Sequence, residues 1–175
     1  DSIGWYKKNL YHKKGDFRTI LCFDGVYMDS SLYVNGNYVG CWKYGYSSFE
    51  HDITEALKEG DNEIILKVVH QAPNSRWYSG AGIYRNVWLK TRRDNHIETN
   101  GVYISTKPMD KHWQVEVDTS LLVNMNVQLS HTITYKDVEI TSSSETIEES
   151  QTTSQILTVD NPKLWSTDYP NLYKI

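Results

Sequence analysis

Three features of this 175-residue sequence predict an all-β protein. Apolar and polar residues alternate with period two along most of the chain, the pattern of half-buried strands. No window of ten or more residues carries the stripe of about 3.6-residue period that a packed helix needs. Asn35-Gly36 separates two alternating runs, and such a pair supplies the positive φ values that a two-residue hairpin turn requires.

Gly4 to Leu10 and Phe17 to Phe23 read as strands joined by a turn over His12 to Asp16, with Phe17, Thr19, Leu21 and Phe23 on one face. Met28, Ser30, Leu32 and Val34 share a face of the next strand, and residues 26 to 42 form a hairpin about Asn35-Gly36. Alternation stops at Asp52 to Leu57, where Thr54 is placed to cap a single helical turn that Gly60 releases. Asn62 to His70 is a strand with Ile64, Leu66 and Val68 facing one way, and Ile83 to Thr91 is another. Between them, Pro73, Gly80 and Gly82 leave Gln71 to Gly82 as an irregular loop, the kind of segment that carries function more often than the strands it joins.

Around Thr91 to Asn100 the composition turns polar and charged, which marks a boundary between residues 1–94 and 95–175. Beyond it lie strands over Val102 to Thr106, Trp113 to Asp118, Val127 to Tyr135, Val138 to Thr141 and Gln155 to Val159. Short strands spaced by about 8 to 12 residues suit a sandwich. Thr141 to Ser154 is so rich in Ser, Thr and Glu that it reads as a solvated connection around a weak strand at Ile147.

The net charge of −4 and the lack of a Lys/Arg-rich run argue against a nucleic-acid partner. No segment approaches the ~20 apolar residues of a membrane span. No signal peptide is recognisable; periplasmic or extracellular export stays open, as do the compartment and homo-oligomerisation. Cys22 and Cys41 both lie in strand-like runs, where a buried free thiol is the ordinary outcome, and they form no metal or redox motif. Thirteen Tyr and six Trp suit pleated sheets and sugar faces equally.

Hydrolysis by a pair of carboxylates needs them about 5 to 5.5 Å apart, and nothing in the sequence specifies such a pair. Glu55, Glu59, Asp61 and Glu145 to Glu149 are explained by turns and solvated faces. His12, His51, His70, His96, His112 and His131 lack zinc-ligand spacing, so no metal or cofactor is expected. His70 closes a strand beside the Gln71 to Gly82 loop and reads first as a hydrogen-bonded strand end. Ser79-Gly80-Ala81-Gly82 lacks the lysine and spacing of a phosphate loop. Asn74-Ser75-Arg76-Trp77-Tyr78 differs in combining an amide, a guanidinium, an indole and a phenol, directional donors beside flat apolar faces. Sugars present hydroxyls at the rim and C–H groups on the face, so this mixture fits a carbohydrate pocket. A plug of Trp77 and Tyr78 at a sheet edge, with Arg76 paired to a carboxylate, fits the same residues.

Ser75 to Leu89, SRWYSGAGIYRNVWL, resembles the sugar-binding domain of glycoside hydrolase family 2, retaining enzymes that include β-galactosidases, β-glucuronidases and β-mannosidases. Asn161 to Tyr173, NPKLWSTDYPNLY, resembles the start of the last strand pair in the immunoglobulin-like domain that follows in that family. The resemblance implies a jelly-roll, galactose-binding-like β-sandwich over residues 1–94 and an immunoglobulin-like β-sandwich over 95–175. It also implies that N-terminal strands of the first and a C-terminal strand of the second lie outside the sequence. The two family glutamates sit on a (β/α)8 barrel C-terminal to these domains, so the expectation is a non-catalytic part of a glycosidase that frames the substrate pocket and braces the barrel. The SRW motif places the parent nearest the β-galactosidases, with Arg76, Asn74 and Trp77 touching a β-linked carbohydrate and Gly80, Gly82 and Arg85 shaping the loop. A β-mannosidase or β-glucuronidase parent is the alternative, as is a free-standing carbohydrate-binding or adhesion module.

Overall fold

The computed structural model describes residues 2–74, 80–149 and 151–175. It is built of strands, and among the described residues the only helical piece is a 3-10 turn at Thr54–Ala56. The chain divides into two compact units, residues 1–93 and 94–175.

The first unit contains β1 (Ser2–His12), β2 (Arg18–Phe23), β3 (Val26–Tyr27), β4 (Ser30–Val34), β5 (Asn37–Trp42), β6 (Phe49–Asp52), β7 (Gly60–His70), β8 (Gly82–Ile83) and β9 (Val87–Arg92). Its sheets have the orders β1-β7-β4-β5 and β6-β2-β9, with a separate β3-β8 pair. Every pairing is antiparallel. Leu32, Val34, Ile64, Leu66 and Val68 of the four-stranded sheet meet Leu21, Phe23 and Phe49 of the three-stranded one in a single core. The alternation read from β4 and β7 is therefore the core face.

The hairpin forms, but it starts at Ser30, opposite Trp42, because Val26–Tyr27 pairs instead with β8. Asn35 and Gly36 take φ values of 50° and 82°, as the turn demands. The His12 to Asp16 connection makes no hairpin, since β1 pairs with β7 and β2 with β6 and β9. Both faces of β2 are buried: Ile20 and Cys22 are as buried as Leu21 and Phe23. Arg92 makes a two-pronged ion pair with Glu50 on the sheet face that carries Cys22. Burial, then the Glu50 contact, pushes the Cys22 thiol up. Cys41 is exposed, contrary to expectation, because it lies on β5 at the edge of its sheet.

Two further readings are corrected. The strand expected over Ile83 to Thr91 is two strands in different sheets, broken at Tyr84 to Asn86, where Tyr84 N–H donates to Gly25 C=O and Asp24 N–H to Asn86 C=O. Thr54 does not cap its turn. Its backbone N–H and hydroxyl both donate to Asp52 Oδ1, and its oxygen accepts from Thr19 N–H on β2. A three-residue turn has little to cap, and the hydroxyl serves the neighbouring strand.

A polar knot fixes the end of the sandwich opposite the β7–β8 loop. Asn62, 2% exposed, donates to Lys58 C=O and Gly60 C=O and accepts from Lys58 N–H and Asn35 Nδ2. Asn35 also donates to Ala56 C=O and accepts from Glu63 N–H.

The second unit contains β10 (His96–Pro108), β11 (His112–Leu122), β12 (Val127–Tyr135), β13 (Val138–Ile147), β14 (Gln151–Asp160) and β15 (Tyr173–Lys174), in sheets β10-β11-β14 and β13-β12-β15. Thr141 to Ser154 is not a solvated connection. It completes β13 and begins β14, with Ser144 opposite Ser130 on β12 and Ser154 opposite Asp118 on β11. Ser and Thr side chains decorate exposed strand faces while the backbone pairs along one edge with β12 or β11, and Ile147 is wholly buried. Of Asn161 to Tyr173, only Tyr173 enters a strand, pairing with Tyr135. Asn171 ties the rest, accepting from the Tyr135 hydroxyl and donating to Leu164 C=O.

Replacing Asn62 with Ala leaves the Lys58 N–H and the Lys58 and Gly60 carbonyls without this partly buried partner, at about 1 kcal/mol each. Denaturant unfolding of the first unit will show a loss of roughly 3 kcal/mol for Asn62→Ala; a loss within error of zero contradicts the knot's role.

Acid will also loosen this unit. Burial pushes the His51 imidazole below its ordinary value of 6.5, and its Nε2 is buried without a partner among the described residues. Burial raises Asp52, but bonds from Thr54 and then Arg18 outweigh it and hold the carboxyl low. Both folded values lie below the unfolded ones, so the unfolded chain binds more protons in between. The stabilisation is complete above 6.5 for His51, is lost as pH falls through its lowered value, and is lost further below the usual Asp range of 3.8. Thermal melts against pH will show the first loss flattened in His51→Phe; an unchanged slope rules His51 out as its source.

Candidate functional site

The β7–β8 loop leaves the sandwich at His70 and returns at Gly82. Its ends are fixed through β3: Tyr27 is paired with Gly82, and Val69 N–H donates to Met28 C=O. Asn74 lies inside the loop, and its Nδ2 is 2.6 Å from Met28 Sδ. Arg76 and Trp77, with Ser75 and Tyr78, lie outside the described residues. Asn74 is therefore the one predicted contact residue with a described position, exposed and in contact with Met28 between β3 and β4.

The three residues expected to shape the loop differ in what they do. Gly82 has φ +129°, and a Cβ there would run into the Tyr6 hydroxyl, so only glycine fits. Gly80 has no neighbour among the described residues within 4 Å of a Cβ, and no positive φ. Arg85 is exposed, with its guanidinium 5.7 Å from the Tyr84 ring centroid.

Tyrosines surround the loop's roots. The buried Tyr27 ring lies 6.2 Å from His70 on one side and 5.2 Å from Tyr46 on the other. Tyr44 meets Tyr46 at 5.8 Å, with the rings 70° apart. Tyr84 lies across Gly25, where a Cβ would strike its ring, and its hydroxyl donates to Gly45 C=O at 2.7 Å. The Tyr46 phenol is pushed up, first by hydrogen bonding with Tyr27 and then by burial and the neighbouring phenols. The sequence reading missed Tyr44, Tyr46 and Tyr84. Tyr44-Gly45-Tyr46 sits in a polar connection and has the same aromatic-in-polar character that singled out Trp77 and Tyr78, a signal that was legible.

This arrangement presents hydroxyls and aromatic faces around the two ends of the loop, the equipment for binding a neutral polyhydroxylated ligand. Among the described residues no group of three or more His, Cys, Asp or Glu is placed to hold a metal ion. The second unit has an apolar groove of about 350 Å³ that includes Ile104, Trp113, Val115 and Trp165. Most of its polar members are engaged: Asn171 with Tyr135, Lys163 over the Tyr135 ring, and Lys174 with Asp137.

A family model described as the sugar binding domain of glycosyl hydrolases family 2 matches residues 1–93, and a second, described as glycosyl hydrolases family 2, matches 95–175. Over 99% of its length the chain is 37% identical to a β-galactosidase of Bacteroides ovatus, of which it covers 22%. It is 31% identical over 99% to a β-galactosidase of Thermoanaerobacter pseudethanolicus, covering 25%, and 29% identical over 98% to a β-glucuronidase of Formosa agariphila, covering 21%. Among solved structures, a glycosyl hydrolase family 2 member from Bacteroides cellulosilyticus superposes with a TM-score of 0.85 at 33% identity, over 98% of this chain and 25% of its own. A β-glycosidase from Bacteroides vulgatus gives 0.87 at 28%, over 99% and 23%. The chain thus spans about a quarter or less of the length of these relatives.

Gly82→Val combines a strained backbone with a collision and will destabilise the first unit by about 1 to 3 kcal/mol or more. Gly80→Ala will be close to neutral. Melting temperatures of the two variants make the comparison, and equal losses refute the distinction.

Proposed function

The chain belongs to glycoside hydrolase family 2, and from that premise we propose that it is the N-terminal, non-catalytic part of a retaining β-galactosidase. In this reading the first unit walls the subsite for the non-reducing sugar and the two units brace a catalytic (β/α)8 barrel in the same parent chain. The observation that carries it is the match of both units, in order, to the family's sugar-binding and following domains. The β-galactosidase of Bacteroides ovatus, 37% identical, supports the sugar. So does the Ser75-Arg76-Trp77 motif, on a loop whose roots are fixed by Gly82 and Tyr27. A β-glucuronidase parent is the second reading, favoured by the relative from Formosa agariphila and by the Bacteroides uniformis β-glucuronidase, whose structure superposes at a TM-score of 0.85 and 25% identity.

Arg76 carries the substrate assignment, with Asn74 and Trp77 beside it. A guanidinium bonded to a sugar hydroxyl in a desolvated pocket contributes roughly 1.5 to 3 kcal/mol. In the parent enzyme Arg76→Ala will lower kcat/KM for a chromogenic β-galactoside by about ten- to a hundredfold and leave the melting temperature nearly unchanged. Lost stability with kcat/KM retained in the folded fraction makes Arg76 an anchor and defeats the assignment. The same assay with a chromogenic β-glucuronide decides between the two sugars.

A further inference from the structure

We propose that Tyr44 and Tyr46, on the connection between β5 and β6, form a sugar-stacking wall near the His70 and Gly82 ends of the β7–β8 loop, and that Tyr84 is the residue that positions it. The inference rests on the reading of this loop as sugar-binding and adds residues from a different part of the chain.

Both rings are 61% exposed, yet neither is loose. Tyr46 packs edge to face on Tyr27 at 5.2 Å, and Tyr44 packs in the same manner on Tyr46 at 5.8 Å. Between them, Gly45 is held from two sides. The Tyr27 ring occupies the space a Cβ would need, and the Tyr84 hydroxyl donates to the Gly45 carbonyl. Tyr84 is in turn seated on Gly25, so the clasp joins the β5–β6 connection to the segment that follows β8. Tyr27 links the wall to the loop, because its backbone pairs with Gly82 at the loop's return and its ring stands beside His70 at its start.

Exposed aromatics held in one orientation lose little further conformational entropy when a ligand stacks on them. A pyranose offers an apolar C–H face to such a ring and hydroxyls to its phenol. The raised Tyr46 phenol stays neutral through ordinary pH, able both to donate and to accept. The fitting ligand is a neutral β-linked sugar: the wall itself, Tyr44-Gly45-Tyr46, has no ionised side chain to demand a charged one.

The test is aromatic 13C NMR of the 175-residue chain titrated with methyl β-D-galactopyranoside up to about 100 mM, a range that reaches the weak millimolar affinities of a partial site. The wall requires saturable shifts at Tyr44 and Tyr46, and Tyr46→Ala should weaken binding roughly two- to tenfold. Tyr84→Phe removes the bond to Gly45 and keeps the ring, so it should alter the sugar-induced shifts at Tyr46 and spare those at Trp77. Saturable shifts at Trp77 with Tyr44 and Tyr46 unmoved overturn the wall and leave the loop's role standing. Shifts at the two tyrosines with none at Trp77 support the wall and count against the loop. The absence of saturable shifts at all three residues overturns the wall, while the Arg76 kinetics decide the loop separately.

Discussion

Asn62 is the point on which the first sandwich turns. Its buried amide is satisfied on both its donor and acceptor sides by the 3-10 turn segment, the start of β7 and the Asn35-Gly36 hairpin. Those contacts set where β7 begins, and β7 is the strand that both β1 and β4 pair with. A slip of one residue in β7 would send Ile64, Leu66 and Val68 to the outer face. The same register decides where β7 ends, at His70, and therefore where the β7–β8 loop is launched. A hydrogen-bond knot at one end of the sandwich thus determines the position of a loop at the other.

The second unit solves the register problem differently. Along β11 the inward residues run Val117, Thr119, Leu121; along β12 they run Leu129, His131, Ile133; and Gln155 precedes Leu157 and Val159 on β14. Thr119, His131 and Gln155 form a buried polar layer between two apolar ones. His131 Nε2 is 2.9 Å from Thr119 Oγ1 on the opposite sheet, and Gln155 Nε2 reaches the Leu129 carbonyl. Any shift of one sheet against the other would set these groups against hydrocarbon, which costs more than the bonds gain. Continuous apolar strands would pack as well in several registers; the polar layer selects one.

What could be read from the sequence was what depends on neighbours in the chain. The Asn35-Gly36 hairpin and the alternating faces of β4 and β7 are local properties, and they are found where the residues imply them. Sheet membership is not local. Nothing in Ile83 to Thr91 announces that Tyr84 to Asn86 crosses between sheets, because the partners that break the strand are Gly25 and Asp24, some sixty residues away. Thr141 to Ser154 failed for a related reason. Its composition lacks apolar residues, but pairing with β12 and β11 along one edge holds its backbone in strands, and one Ile147 in the core anchors it. For the site, the motif drew attention to Arg76, Trp77 and Asn74, while Tyr84 and its acceptor at Gly45 lie 39 positions apart and have no pattern in common.

The large number of tyrosines is not by itself a measure of sugar contact. Several are occupied by packing against glycines: Tyr84 on Gly25, Tyr27 against Gly45, Tyr6 against Gly82. In each case the missing Cβ lets a ring or its hydroxyl approach the backbone, and in each case the glycine belongs to a short segment at the loop-bearing end of the first unit. These contacts fix irregular backbone that has too few ladder bonds to hold itself. Tyr44 and Tyr46 differ in that each rests on another ring and keeps most of its surface in solvent. The same residue type thus serves two ends, and the glycine beneath or beside a ring separates them: a tyrosine seated on a glycine builds the site, and a tyrosine left standing on its neighbours is free to use it.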